Sequence, residues 1–213
     1  MKDKIEEYLH SLLPSRSGLL ADIEQFAKEH NVPIMEPEGI EVLLQVLRLQ
    51  NPKSILEVGT AIGYSALRMS EAVPNANIVT IERDEDRIST AKQNFERAAK
   101  TDKIRLVEGD ALEQAGTVAA YGPFDAIFID AAKGQYKRFF ELYEEHLSNN
   151  GIIITDNVLF KGLVAEEEET IEPKRIRSMV KKIKDYNGWL MEHPHYHTVI
   201  MPIGDGVAIS KRK

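Results

Sequence analysis

The spacing of apolar and polar positions changes at about residue 50. Before it, apolar side chains recur every three or four residues, which is the period of a helix with one buried face. This spacing predicts helices over residues 1–13 and 19–30, and a third that follows Met35. Pro14 would end the first helix, and Pro37 suits the first turn of the third. The first 50 residues are therefore predicted to be N-terminal helices that precede the main sheet.

From residue 51 onward, short apolar runs alternate with amphipathic stretches. The pattern predicts strands over 54–59, 77–82, 103–108, 125–130 and 151–155, and helices over 64–72, 84–100, 111–120 and 134–147. Such alternation is typical of a parallel sheet with helices on both faces. Two further runs, 197–201 and 207–210, flank a turn and predict an antiparallel hairpin. The predicted fold class is α/β, a Rossmann-like, doubly wound, mostly parallel seven-stranded sheet with an antiparallel C-terminal strand.

Composition narrows the class of protein. The 213 residues are 43% hydrophobic and 29% charged, which predicts one globular domain over 1–213, with helices in 1–50 and the core in 51–213. The N-terminus lacks a signal-peptide core and no apolar run reaches membrane-spanning length, so we expect a cytoplasmic protein without a membrane partner. The absence of cysteine excludes thiolate chemistry, and the net charge of −7 leaves the substrate class open.

A glycine-punctuated turn follows the first predicted strand, in the segment 54–65. Gly59 and Gly63 allow a tight turn, and the helix that opens near Tyr64 directs unpaired N–H groups at the same place. A dinucleotide fingerprint would need a third glycine, and a P-loop would need a lysine after the turn. The segment therefore predicts a nucleoside cradle. Glu57 lies inside the apolar strand end, which favours a cationic or donor-rich ligand beside it.

Two acids follow the next two strands. Glu82 ends the second strand roughly 20 residues after the turn, a place from which a carboxylate can accept both ribose hydroxyls. Asp110 follows the third strand. It would either accept from an adenine amino group or cap the next helix, and the sequence favours neither.

Three oxygen ligands follow the fourth and fifth strands. Asp130, Asp156 and Asn157 would meet at one rim, and two neighbouring carboxylates repel unless a cation joins them. Their oxygens form a hard set suited to Mg²⁺. In the alternative interpretation, each aspartate only caps the following turn. Lys133 adds a base or a balancing charge on the same loop.

The remaining charged segments leave alternatives open. The connection 158–172 contains four consecutive glutamates and is either a solvated loop or a lid. The next helix carries a basic stripe whose default interpretation is solvation, formed by Lys174, Arg177, Lys181 and Lys184. Arg16 lies in a polar hinge that is either a solvated turn or a loop facing the substrate.

Five motifs in one order resemble the metal-dependent, S-adenosylmethionine-dependent O-methyltransferases related to catechol and caffeoyl-CoA O-methyltransferases. They are Glu57 to Ser65, Glu82, Gly109-Asp110-Ala111, Phe128 to Tyr136, and Asp156-Asn157. By this resemblance the cofactor contacts are Met35, Glu57, Gly59, Tyr64, Ser65, Glu82, Asp110, Ala111 and Asp130. The metal ligands would be Asp130, Asp156 and Asn157, and Lys133 would be the catalytic lysine.

The chain is most similar within that family to bacterial tRNA 5-hydroxyuridine methyltransferases. The resemblance implies methyl transfer to the 5-hydroxyl of the wobble uridine, with small catechol or caffeoyl-CoA-like phenols as the alternative acceptors. Ala131-Ala132 departs from the bulkier residues of catechol enzymes. A tRNA anticodon loop would need basic contacts, for which the candidates are Arg16, Lys137, Arg138, Lys174, Arg177, Lys181 and Lys184. The N-terminal helices also predict a homodimer.

Overall fold

The computed structural model describes residues 2–213. Its helices are α1 (Lys2–Ser11), α2 (Leu19–Glu29), α3 (Pro37–Gln50), α4 (Tyr64–Ala72), α5 (Glu85–Arg97), α6 (Ala115–Ala119), α7 (Tyr136–Tyr143) and α8 (Lys174–Met191). Its strands are β1 (Ser54–Val58), β2 (Asn77–Glu82), β3 (Ile104–Glu108), β4 (Phe124–Ile129), β5 (Leu147–Thr155), β6 (Tyr196–Met201) and β7 (Val207–Arg212). Short 3₁₀ turns cover Lys133–Gln135, Glu144–His146, Leu163–Ala165 and Glu168–Thr170.

All seven strands form one sheet in the order β3-β2-β1-β4-β5-β7-β6. The strands β1 to β5 are parallel, and β7 runs antiparallel to both of its neighbours. The predicted fold class is confirmed, including the antiparallel strand in the C-terminal hairpin. The strand order reverses between β1 and β4, so the crevice at their carboxyl ends is the expected ligand position.

Two apolar layers cover the two faces of the sheet. On one face, α2, α3, α4 and α5 pack through residues such as Leu43 and Phe95. On the other face, α6, α7 and α8 contribute Val118, Phe140 and Leu190. The strands β1, β2 and β4 are therefore buried on both faces, which explains why they are mainly apolar runs in the sequence. The edge strand β3 exposes Arg105 and Glu108. No helix in the described part of the chain is long and apolar enough to span a membrane.

Two predicted helices are shorter than expected. The stretch predicted as 111–120 is helical only from Ala115, because residues 110–114 form a turn held by Asp110. The predicted helix 134–147 ends at Tyr143, and β5 already begins at Leu147. A register shift between Phe124 and Ala126 lets the polar residues 148–151 stay in the strand as a bulge.

Candidate active site

One cavity of about 620 Å³ lies at the carboxyl ends of the parallel strands. The wall opposite the sheet comes from residues 33–36, between α2 and α3. The predicted site residues that line it are Met35, Gly59, Tyr64, Ser65, Glu82, Asp110, Ala111, Asp130, Lys133, Asp156 and Asn157. The fold thus brings the predicted cofactor and metal residues to one place, as expected for the crevice at a reversal of strand order.

Gly59 fits the floor of this cavity because it has no side chain. Its φ is +104°, and a Cβ there would lie 2.1 Å from the carbonyl oxygen of Asp130. Gly63, with φ of +84°, precedes α4 and would direct a Cβ into the ring of Phe95 at 2.5 Å. Both glycines are therefore needed for close packing of the turn against its neighbours as well as for its backbone conformation.

Glu57 lies beneath the cavity and does not line it. Its side chain is 0% exposed. The carboxylate accepts hydrogen bonds from the hydroxyls of Ser65 and Thr80. Burial raises the pKa of Glu57 to about 8, although those two hydrogen bonds act in the opposite direction. Glu57 consequently connects β1, β2 and the first turn of α4 directly behind the cradle.

Glu82 presents a fixed carboxylate to the cavity. Its Oε2 accepts the N–H of Ala61 at 2.9 Å, and its Oε1 accepts the N–H groups of Arg83 and Asp84 at 2.9 and 3.0 Å. These three backbone bonds hold the side chain in one orientation. The remaining acceptor capacity of the two oxygens suits a pair of ribose hydroxyls.

Asp110 stabilises a turn and forms an ion pair. Its carboxylate accepts the N–H of Leu112 at 2.9 Å and pairs with Arg83 Nη1 at 2.9 Å. The bond to Leu112, together with Arg83, lowers the pKa of Asp110. Because α6 begins only at Ala115, the aspartate stabilises the turn before the helix and does not cap the helix itself. It still lines the cavity, where an adenine contact stays a prediction.

The candidate metal ligands form a compact cluster. Asn157 Nδ2 lies 3.2 Å from Asp130 Oδ1 and 2.8 Å from Asp156 Oδ2. Burial, followed by the charge of Asp130, raises the pKa of Asp156 to about 8. Burial also raises the pKa of Asp130, even though part of its surface faces the cavity.

This donor set fits a hard cation. Two carboxylates that disfavour each other's ionisation gain a shared counter-charge when a cation joins them. The Asn157 amide donates its N–H groups to both carboxylates here, and a rotation about its last bond would offer its oxygen instead. Among the described histidine and acidic residues, no group of three gathers to hold a metal. The candidate set is therefore two carboxylates and one amide.

Lys133 stands beside these acids on the 3₁₀ turn Lys133–Gln135. Burial lowers its pKa, whereas Asp130 and Asp156 act in the opposite direction. Its Nζ lies 5.7 Å from the ring centre of Phe160. An amine with a lowered pKa reaches the neutral form more readily and can then accept a proton.

The predicted RNA contacts do not form one free basic surface. The Arg16 side chain is only 12% exposed, with its Nε 3.0 Å from Glu24, which argues against contact with RNA. Arg177 pairs with Glu172 and donates to the Ile171 carbonyl, and Lys184 donates to the Glu166 carbonyl.

The other candidates differ in their surroundings. Lys181 Nζ lies 3.4 Å from Asp185, and Lys137 Nζ lies 3.6 Å from Glu141. Arg138 donates to Gln135, and Lys174 is exposed at the start of α8. Part of the basic stripe thus binds the 158–172 connection to α8, and the rest stays accessible.

Sequence reasoning missed Asp205 and the two arginines Arg83 and Arg87, all of which line the cavity. Asp205 lies between Gly204 and Gly206 in the β6–β7 turn. Aspartate is common beside glycine in turns, so the sequence offered no reason to assign it a role at the site. Its position near Asp130 and Asp156 depends on the antiparallel pairing of β7 with β5. That long-range contact leaves no local signal.

The sheet order, the antiparallel β7 and the glycine cradle beside Glu82 define a Rossmann-like methyltransferase that uses S-adenosylmethionine. A family model described as O-methyltransferase matches residues 11–213, and the chain therefore belongs to the O-methyltransferase family.

Individual relatives agree with this assignment. A catechol O-methyltransferase of Niastella koreensis is 32% identical over 174 residues, which cover 79% of this chain and 78% of that protein. A Staphylococcus aureus crystal structure, provisionally named a caffeoyl-CoA O-methyltransferase, is 40% identical with a TM-score of 0.91, over 98% of this chain and 99% of that one. The SAH-bound Podospora anserina methyltransferase PaMTH1 is 26% identical with a TM-score of 0.85, over 100% and 95% of the two chains.

Proposed function

We propose that this O-methyltransferase is magnesium-dependent and methylates a hydroxyl that has a second oxygen beside it. The observation that carries the proposal is the cluster of Asp130, Asp156 and Asn157 in the same cavity as the nucleoside cradle. Mg²⁺ held by these three residues would supply a Lewis acid that lowers the pKa of an acceptor hydroxyl.

The cradle supports S-adenosylmethionine as the methyl donor. Glu82 offers a preoriented acceptor for the ribose, and Asp110 and Ala111 line the same cavity and would contact the adenine. Tyr64 and Ser65, at the start of α4, line the same cavity, as does Met35. Asp130 belongs to both the cradle and the metal cluster, so its loss would affect both.

Lys133 would accept the proton of the acceptor hydroxyl. The lysine borders the same cavity as the candidate metal ligands, and its lowered pKa favours the neutral amine. The enzyme would otherwise contribute orientation and charge placement, since direct attack of an oxyanion on the methyl group needs no covalent enzyme intermediate.

The first candidate acceptors are small catechol-type phenols. The names of the Niastella koreensis and Staphylococcus aureus relatives refer to catechol and caffeoyl-CoA. Two hydroxyls on neighbouring ring carbons supply the pair of oxygens that the cluster would engage. The coordination places left by three protein ligands would accommodate them.

The second candidate acceptor is 5-hydroxyuridine at the wobble position of a tRNA. Its 5-hydroxyl and 4-carbonyl form a similar pair of oxygens. The specific observation in its favour is that the small Ala131-Ala132 pair lines the cavity and leaves this part of it open. A base that enters splayed out of its stack would need such an open approach.

Mass-spectrometric detection of methyl transfer tests the proposal with paired acceptors. A 3,4-dihydroxyphenyl acid is compared with its 3-hydroxy and 4-hydroxy analogues, and 5-hydroxyuridine tRNA with the same tRNA carrying uridine. We expect transfer only to the members with two neighbouring oxygens. Equal methylation of the single-hydroxyl phenols would overturn the two-oxygen requirement. Direct competition between the dihydroxy acid and the modified tRNA then identifies the preferred acceptor class.

A further inference from the structure

Three successive N–H groups after β5 converge on one residue, Asp205. The backbone carbonyl of Asp205 accepts from Leu159 at 2.8 Å and from Phe160 at 3.2 Å. Its side-chain Oδ1 accepts from Lys161 at 3.0 Å. Asp205 therefore accepts three of the hydrogen bonds that hold the segment 157–162, which we call the strap. Two further bonds join Val158 to the Gly206 carbonyl and to the Asn187 side chain.

The strap has a backbone conformation that needs such support. Asn157, Phe160 and Lys161 have φ values of +62°, +44° and +56°. Residues other than glycine disfavour this left-handed region of the backbone, so contacts with the surrounding structure must maintain the conformation. Gly206 allows the close approach, because a Cβ there would lie 2.3 Å from Leu159 Cγ.

The strap carries two groups that matter at the cavity. Asn157, a candidate metal ligand, begins it, and Phe160 places its ring 5.7 Å from Lys133 Nζ. Asp205 also lines the cavity. A displacement of the strap would move the amide and the ring together, away from the groups proposed to orient and deprotonate the acceptor.

We propose that Asp205 is a positioning residue for methyl transfer, which acts by holding the strap through the hydrogen bond from Lys161 N–H to its side chain. The inference rests on the proposed function for its effect on turnover. Among the described residues, Asp130, Asp156 and Asp205 do not form a cluster of three potential metal ligands, so the metal set assigned here leaves Asp205 out. The charge of Asp205 does act on Asp130 and Asp156, and a charge effect is therefore the competing explanation that the variants must separate. In our proposal, the acceptor oxygen of Asp205, and not its negative charge, is the feature that the site requires.

Two substitutions separate the oxygen from the charge. Asp205→Asn keeps an acceptor for Lys161 and removes the charge, whereas Asp205→Ala removes both. Asp125→Ala is the matched control, since Asp125 accepts the N–H of Lys53 at 2.9 Å at the opposite end of the sheet. The measurements are kcat and KM for each substrate, S-adenosylmethionine affinity by calorimetry, and amide hydrogen exchange of the peptide that contains the strap.

We expect Asp205→Ala to lower kcat by about tenfold or more, since small misplacements of reacting groups have effects of this size. Its affinity for S-adenosylmethionine should stay within about twofold, and strap exchange should accelerate. Asp205→Asn should restore most of kcat and of the protection, and Asp125→Ala should change neither. Equal losses of kcat in Asp205→Asn and Asp205→Ala would overturn the proposal and indicate a charge effect. Unchanged strap exchange in Asp205→Ala would overturn it as well, because the side chain would then not hold the strap.

Failure of the proposed function gives a different result. In that case the wild type would bind S-adenosylmethionine and transfer no methyl group to the paired acceptors. The exchange measurement would still report whether Asp205 holds the strap. Unchanged strap exchange in Asp205→Ala therefore overturns the positioning role whether or not turnover is observed.

Discussion

At the scale of single residues, the site contains buried acidic side chains, whose charged forms are unfavourable without a partner. Glu57 is fully enclosed, and the charge of Asp130 adds to burial in raising the pKa of Asp156. The hydroxyls of Ser65 and Thr80 offset part of the cost at Glu57, and a cation between Asp130 and Asp156 would offset the cost there. The sequence showed these acids through their places at strand ends, but it could not show Asp205.

Glu57→Gln should flatten the pH dependence of stability of the cofactor-free protein. The pKa of Glu57 rises from 4.5 to about 8 on folding, so the folded state takes up a proton between those values. Stability is then lost as the pH rises through this range, by up to about 1.4 kcal/mol per pH unit for one proton. Glutamine removes this contribution.

Urea unfolding at pH 5, 6.5 and 8 measures this effect. The wild type should lose more stability than Glu57→Gln between pH 5 and 8, while the contributions of Asp130 and Asp156 are common to both proteins. Parallel curves for the two proteins would show that Glu57 ionises normally.

At the scale of elements, the alternation of apolar runs predicted the order of strands and helices because parallel strands are buried on both faces. The predicted boundaries of the elements were wrong where long-range pairing or packing overrides the local preference of the sequence. Ser148, Asn149 and Asn150 favour a turn on their own, yet pairing of Leu147 and Ile152 with β4 on either side keeps them in the strand as a bulge. Arg16 lies in a polar hinge, but its burial beside Glu24 depends on how α2 and α4 meet.

Gly59→Ala should abolish cofactor binding, whereas Gly18→Ala should lower stability and leave cofactor binding intact. Both residues have positive φ, +104° and +60°, and Gly18 has ψ of −139°, so both substitutions force a side chain into a conformation that favours glycine, at a cost of about 1–3 kcal/mol. Only at Gly59 does the added Cβ meet the backbone, 2.1 Å from Asp130 O, whereas Gly18 has open space. Calorimetry with S-adenosylmethionine and thermal unfolding measure the two effects. Normal cofactor affinity in Gly59→Ala would show that the β1–α4 turn can move without loss of the cradle.

At the scale of the whole molecule, surface charge and exposed apolar side chains indicate which partners could bind. Arg177 already bonds to the 158–172 connection, so a tRNA acceptor is tested with Lys174→Glu and Lys181→Glu in one variant. If tRNA binds there, this variant should weaken tRNA methylation severalfold and flatten its salt dependence, without an effect on small phenols. Lys28→Glu with Lys53→Glu supplies the same charge change elsewhere. Equal tRNA methylation by both double variants would show that the basic stripe is a solvated surface that does not bind tRNA.

Self-association is a second prediction at this scale. Helix α1 and the residue that follows it expose four large apolar side chains, Ile5, Tyr8, Leu9 and Leu12, which are 49% to 62% exposed. Exposed apolar groups on one helix are typical of an interface, and a homodimer would cover them. Light scattering should give a dimer mass for the wild type and a monomer mass for Leu9→Glu with Leu12→Glu. A monomeric wild type would contradict this prediction.

We propose above all that methyl transfer depends on a metal held by Asp130, Asp156 and Asn157. The most direct test strips the protein with a chelator, removes the chelator, and measures methyl transfer as Mg²⁺ is added back, beside Asp156→Ala. We expect activity to disappear on chelation and to return with Mg²⁺ in the wild type. It should not return in Asp156→Ala, although the S-adenosylmethionine affinity of this variant stays near that of the wild type. Full activity of the stripped wild type would contradict the proposal.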